Sequence, residues 1–241
     1  FHRVGDRLHA MFGAGGSMWA YSANKLTGPY KRCKVNPLLL ARGHTYFSRF
    51  FPTSGGLLVN HHAMTGEMKR RLIGWETYAS PLKVAAVDKE GVLRFKYWKG
   101  NEALKGEILK GGADLDFGKG IVVEATLPLP GDEKDKSSTM QIHADKKNYI
   151  VRLLHDGSVE MGTADDDGAN WNRKHGANRQ LKFGKRVSLR LLARRGMLEL
   201  YLDDYFMECW TMGCHRAKKV TVAIPGRDMK VWEMTLCGWD R

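Results

Sequence analysis

The sequence predicts an all-β chain in two parts, and three observations carry that reading. Short runs rich in β-branched and aromatic residues recur from one end to the other. Turn signals divide them at short intervals, and 27 glycines against 7 prolines give many returns and few stiff linkers. No stretch sustains a 3.6-residue period, so helix is minor. The 241 residues suffice for one large β domain or two smaller ones with a substantial core.

Arg7–Phe12 and Ser17–Tyr21 are apolar runs split by Gly13-Ala14-Gly15-Gly16, a hairpin signal. Ser22–Tyr30 is a polar loop closed by Gly28-Pro29, and Asn36-Pro37 introduces Leu38-Leu39-Leu40. The stretch Gly43–Met64 then reads as a second hairpin. Thr45–Phe51 alternates as a strand, Pro52–Gly56 is a turn cluster, and Leu57–Val59 opens a run that ends in Asn60, His61 and His62. An imidazole at each end of the hairpin, His44 and then His61-His62, suits a ligand pocket at a strand mouth. Paired strands with glycine-rich returns predict propeller blades or a barrel.

A second pattern begins near Ser80. Leu82–Val87 and Val92–Trp98 flank the turn Asp88–Gly91, and Gly100–Gly112 reads as helical or irregular. From Gly120 strands follow with regular turns: Ile121–Leu127, Ser138–Ala144, Tyr149–Leu154, Ser158–Thr163, Val187–Ala193, Met197–Leu202, Tyr205–Met212, Lys219–Ile224 and Lys230–Leu236. That spacing is the signature of an antiparallel sandwich with one face on the core and one in water. The domain boundaries expected are 1–98, a linker over 99–114, and a jelly-roll or concanavalin-like sandwich over 115–241.

The net charge of +13 is concentrated early: residues 1–80 hold eleven Lys/Arg against Asp6, Glu67 and Glu76. Nucleic acid is the first suspect for so basic a chain. Yet no nucleic-acid motif accompanies the charge, and Met68-Lys69-Arg70-Arg71 is the one tight cluster, so solvated surface charge is the reading and nucleic acid is not expected as a partner. No run approaches the roughly 18 apolar residues of a membrane span, so no membrane is expected. Phe1-His2-Arg3 leads straight into patterned sequence without an initiator Met, and a fragment or processed product is expected. Cys209 and Cys214 have a poor zinc spacing, and no cofactor or metal is expected. A disulfide between two of Cys209, Cys214 and Cys237 stays open beside the simpler reading of thiols. Asp165-Asp166-Asp167-Gly168 lacks the distal glutamate of a calcium loop and reads as a solvated turn.

Several phrases together resemble a known family. Tyr21-Ser22, Leu26-Thr27-Gly28-Pro29-Tyr30 and Asn36-Pro37-Leu38 look like a blade return in five-bladed propeller glycosidases. Gly43-His44 and Leu57–His62 are similar to the last blade of that clan, which also contains family 43. Leu198-Glu199-Leu200-Tyr201-Leu202-Asp203-Asp204 resembles a strand in the C-terminal sandwich of glycoside hydrolase family 32, the invertase–levanase group. The resemblance implies a partial five-bladed β-propeller over 1–98 followed by an antiparallel β-sandwich: the C-terminal portion of a glycoside hydrolase acting on fructosides or other furanosides. It implies a carbohydrate substrate and, as partners, missing N-terminal blades or a chain that supplies them. It implies His44 as a pocket residue; His61 and His62, as imidazoles at the hairpin's end, and Trp75, as an aromatic face, are further substrate-binding candidates on their own chemistry.

The family's Asn-Asp-Pro-Asn and Arg-Asp-Pro are absent, and Glu208-Cys209 spells its Glu-Cys only in the sandwich half. Glycoside hydrolysis needs two facing carboxyl groups, and Asp6, Glu67 and Glu76 make no convincing pair. No catalytic residue is therefore assigned, and the chain alone is expected to be inactive. The two rival classes are a non-catalytic carbohydrate-binding or structural sandwich and a basic polyanion or nucleic-acid binder. Trp19, Trp75 and Trp98 have the aromatic faces a sugar needs but serve a core equally well, and Trp171, in a loop over Asn170–Asn178, is the best exposed ring of the sandwich half.

Overall fold

Alternation of apolar and polar residues sets the architecture, which is nearly all-β, with antiparallel pairing at each described strand register. The computed structural model describes residues 1–15, 17–37, 45–65, 76–132, 138–144, 146–165, 170–214 and 217–235, with the side chains of 45–47, 63–65 and 76–78 outside that description. Two compact units divide the chain, Phe1–Asn101 and Glu102–Arg241.

The first unit opens with a four-stranded sheet of β1 (His2–Val4), β2 (Arg7–Ala14), β3 (Ser17–Ala23) and β4 (Lys31–Arg32), in that order. The period of two puts Met18 and Ala20 inside, while Trp19 and Tyr21 face the other way, Trp19 opposite Phe12. The Asn36-Pro37 phrase has a structural use. Asn36 Nδ2 donates to Ala20 O (3.0 Å) and Cys33 O (2.8 Å), and its Oδ1 accepts from Ala20 N (2.8 Å), so one amide continues the pairing of β3.

The remaining strands of this unit are β5 (Thr45–Thr53), β6 (Gly56–Thr65), β7 (Glu76–Ala79), β8 (Lys83–Val87) and β9 (Leu93–Tyr97). They follow the order β9-β8-β6-β5. The long β6 pairs with β8 through Leu57–Val59 and with β7 through His62–Thr65. The β5–β6 turn is tighter than expected, since Pro52 and Thr53 still pair with Leu57 and Gly56.

A 3-10 turn, Lys99–Leu104, is the one helical element among the described residues. The second unit has β10 (Lys105–Leu109), β11 (Leu115–Asp116), β12 (Ile121–Pro128), β13 (Ser138–Ala144), β14 (Lys147–Leu153), β15 (Val159–Ala164), β16 (Asn172–Ala177), β17 (Arg186–Arg194), β18 (Met197–Leu202), β19 (Tyr205–Thr211), β20 (Lys219–Ala223) and β21 (Met229–Met234). Its strands run β10-β21-β12-β17-β18-β19 in one layer and β11-β20-β13-β14-β15-β16 in the other, the expected sandwich. Ile121, Leu191 and Leu200 from the first layer and Met140, Ile142 and Met161 from the second are fully buried. Each such side chain contributes about 1.5–3 kcal/mol by leaving water.

Three local expectations are corrected here. Gly100–Gly112, expected as helical or irregular, holds the end of the 3-10 turn and then β10, paired with β21. Residues 170–178, expected as a loop, hold β16. Its sequence Asn-Arg-Lys-His-Gly-Ala has no apolar alternation because it is the sheet's edge, where polar side chains discourage further pairing. Met197–Leu202, expected to turn one face to water, is buried along its whole length. There Glu199 is tolerated because Tyr201, two residues on and on the same face, donates its hydroxyl to Glu199 Oε2 at 2.8 Å. The Asp203-Asp204 phrase is a two-residue hairpin turn with φ of +46° and +64°, and Asp203 Oδ1 accepts from Ser188 N at 2.8 Å. Cys33, Cys209 and Cys214 stand as thiols, the last two buried; Cys237 lies outside the described residues.

Candidate functional site

Two places gather polar chemistry, one in each unit. In the first, the run expected to end in Asn60, His61 and His62 goes on to Thr65, so His61 and His62 sit within the strand and not at its mouth. Ser80 makes this affordable. Ser80 N donates to His61 O (2.8 Å), His61 N donates to Ser80 Oγ (3.0 Å), and His61 Nδ1 lies 3.0 Å from the same hydroxyl. Lys83, wholly buried, donates from Nζ to Ser80 Oγ (3.2 Å) and Pro81 O (3.0 Å). Burial first, then the nearby Lys83 charge, holds the His61 imidazole well below the ordinary histidine range, so it stays neutral near pH 7. His62 is half-buried and lies opposite Tyr46 and Ala79. As strand neighbours the two histidines project to opposite faces, and one pocket cannot take both directly. His44 and Trp75, with Met68–Arg71 and Glu67, lie outside the described residues.

Of this unit's carboxylates, Asp6, Asp88 and Glu90 stand at turns, while Glu76 opens β7 and its side chain lies outside the described residues. Asp6 is exposed between β1 and β2, and Glu90 is exposed in the β8–β9 turn. Asp88 accepts from Glu90 N and Val92 N (2.9 Å each) and from Arg94 Nε (2.8 Å). Burial works against its charge, but the Val92 amide, the Arg94 guanidinium and the Glu90 amide outweigh it and lower its pKa. The Glu208-Cys209 pair lies on β19, both residues buried.

In the second unit an open cleft of about 1090 Å³ lies at one end of the sandwich. Tyr149, His175 and Trp210 line it from within, the Tyr149 and Trp210 rings 5.6 Å apart and edge-on, with His175 5.9 Å from Trp210. Lys147, Asp165, Asn170, Trp171, Asn172 and Lys174 are among its outer residues. Trp171 is held in place. A Cβ at Gly162 would come within 2.8 Å of its Cη2, so glycine makes the room for the indole. The Arg152 guanidinium covers one ring face with its carbon 3.9 Å from the ring centre. Arg152 Nε has no hydrogen-bond partner among the described residues, so the indole is what this buried group serves. Asn170 Nδ2 donates to Asp165 Oδ2, while Asp166, Asp167 and Gly168 of the acidic run lie outside the described residues. Sequence reasoning found Trp171 but not the cleft, since Lys147, Thr211 and Trp210 come from strands remote in the chain.

An all-β chain of two units with a C-terminal antiparallel sandwich defines a fold class shared with glycoside hydrolases of family 32. A β-fructofuranosidase of that family from Bombyx mori matches 97% of this chain with a TM-score of 0.70 at 13% identity, over 53% of its own length. Fructan 1-exohydrolase IIa from Cichorium intybus matches 95% with a TM-score of 0.62 at 14% identity, over 57% of its length. The sucrose-6-phosphate hydrolase of Lactobacillus gasseri matches 91% with a TM-score of 0.62 at 12% identity, over 48% of its length. The chain thus spans about half the length of the solved structures it matches. No family model matches the sequence, and no curated protein is similar to it in sequence.

Proposed function

We propose that this chain is the C-terminal portion of a carbohydrate-active glycoside hydrolase acting on fructosides or other furanosides, with residues 1–98 as the last blades of a five-bladed propeller. The observation that carries the reading is the fold likeness over 97% of the chain to a β-fructofuranosidase. The order of the sequence phrases supports it, blade-return motifs first and the Glu-x-Tyr sandwich strand second. In this reading the catalytic carboxylates come from missing N-terminal blades or from a partner chain, because Asn-Asp-Pro-Asn and Arg-Asp-Pro are absent. Asp6, Asp88 and Glu90, whose side chains are described, stand at turns and offer no facing acid and nucleophile. The substrate side is built around His44, His62 and Trp75, with His61 acting through Ser80 and Lys83 and not by contact.

The test is to assay the chain on sucrose, levan, inulin and aryl arabinofuranosides, alone and with the upstream blades restored. The expected result is turnover only in the second case. Turnover by the chain alone, lost on changing a single carboxylate within 1–241, would overturn the proposal.

A further inference from the structure

The sandwich cleft gathers a charge that the fructoside reading does not use. Its described lining holds Lys146, Lys147, Arg173 and Lys174 against a single carboxylate, Asp165. Arg173 Nε is already engaged by Glu160 Oε1 at 3.1 Å, and Asp165 accepts from Asn170. Lys146, Lys147 and Lys174 are exposed, and none of these three has an ion pair among the described residues. Like charges that line one cleft favour an anion there. Charge alone would suit any anion, and two further features narrow the ligand. Beside the lysines stand the hydroxyls of Thr163 and Thr211 and the amide of Asn172, each able to donate and to accept, as a hydroxyl-rich ligand requires. Trp171 adds an aromatic face. Gly162 makes room for the indole, Arg152 covers one side of it, and its partial exposure leaves ring surface for a ligand. A ring so held loses little freedom on stacking against the C–H side of a sugar. An anionic group, several hydroxyls and a C–H face occur together on one building block, the acidic sugar. A nucleotide brings an anion and a ring but few hydroxyls for the neutral groups to bind.

We propose that this cleft is a non-catalytic binding site for an acidic saccharide, one whose sugar units carry carboxylate or sulfate. Trp171 is the stacking platform, Lys147 and Lys174 bind the anionic groups, and Asn172 binds hydroxyls. The site stands on the second unit alone and does not rest on the fructoside reading. No bond is made or broken there.

The test titrates the whole chain, by calorimetry and tryptophan fluorescence, with oligogalacturonates and with heparin oligosaccharides, which separate carboxylate from sulfate. Inulin- and cello-oligosaccharides are the neutral arm, and a thymidine oligonucleotide is the nucleic-acid arm. At least one acidic series is expected to saturate a single site, to bind about tenfold or more tighter than either neutral series, and to weaken as salt rises. Trp171→Ala is expected to weaken that binding roughly tenfold, and Lys147→Glu and Lys174→Glu roughly fivefold each. The two lysines are exposed, and their variants are expected to leave the melting temperature unchanged, so they keep the test decisive if Trp171→Ala disturbs the fold. Lys25→Glu, at an exposed position of the first unit, changes the net charge equally and is expected to leave the affinity as it was. The proposal is overturned if no acidic saccharide binds or if the neutral series bind as tightly. It is also overturned if the oligonucleotide binds more tightly than both acidic series, or if Lys25→Glu costs as much as Lys147→Glu and Lys174→Glu. Turnover in the fructoside assay, present or absent, leaves these results untouched, so the two proposals fail separately.

Discussion

The two polar regions are built in opposite senses. In the first unit His61, Ser80 and Lys83 turn their polar atoms on one another inside the fold, over contacts of 2.8–3.2 Å. In the second unit Trp171 is braced by Gly162 and Arg152, and Asn172 and Lys174 are exposed on the edge strand β16 beside it. A histidine in a strand and a tryptophan in a polar stretch looked like equal candidates. What separates them is where the hydrogen-bond partners come from. The interior group is committed by residues about twenty positions away, whereas the rim groups are left for solvent or ligand.

The largest test of that contrast is Ser80→Ala. It removes the hydroxyl that accepts from Lys83 and from His61 N, leaving buried polar groups short of a partner at a cost of about 3 kcal/mol. Urea denaturation of the whole chain measures this, and a loss below about 1 kcal/mol would mean the network does not hold β6 to its neighbours. Tyr201→Phe probes a buried carboxylate of the second unit, Glu199 on β18. Losing the hydroxyl that donates to Glu199 is expected to cost about 2 kcal/mol in urea denaturation.

Acidification separates the units more gently. The His61 pKa in the folded chain lies below its ordinary value of 6.5. Above that pH both folded and unfolded states are neutral there and pH has no effect. As pH falls through 6.5 the unfolded chain takes a proton that the folded chain refuses, so stability falls by about 1.4 kcal/mol per pH unit until the folded pKa is reached. His9, also lowered chiefly by burial, acts in the same direction. In the second unit Glu124 behaves at a lower pH. Burial opposes its charge, but Lys105 and Arg190 outweigh it, so its contribution is present above its ordinary 4.5 and lost only as pH falls through its lowered value. Denaturation at pH 7.5 and 5.5, with hydrogen exchange to locate the opening, is expected to show the first unit weakening first. Equal loss in both units would contradict this.

The sandwich was legible because its strands alternate and its turns carry Asp-Gly, Arg-Gly or Asp-Asp; Ser138–Ala144 and Met197–Leu202 keep their expected bounds. β16 was not legible, since an edge strand of Asn-Arg-Lys-His-Gly-Ala buries too little to show a period. His61 was legible as a chemical group but not as an interior one. A polar residue normally ends a buried strand, and the exception needs Ser80 and Lys83, which no local pattern connects to it. The cleft was half legible: Trp171 stood out as a ring in a polar segment, but Gly162 and Arg152 brace it from strands that read as ordinary sandwich.

The most direct measurement is the pH titration of the His61 imidazole by nuclear magnetic resonance on isotope-labelled whole chain. The account expects its ring signals to stay those of a neutral imidazole, unchanged, through the range in which an ordinary histidine titrates near 6.5. A normal transition near that pH, with the fold intact, would mean that the ring reaches water and that the interior network of His61, Ser80 and Lys83 is not closed.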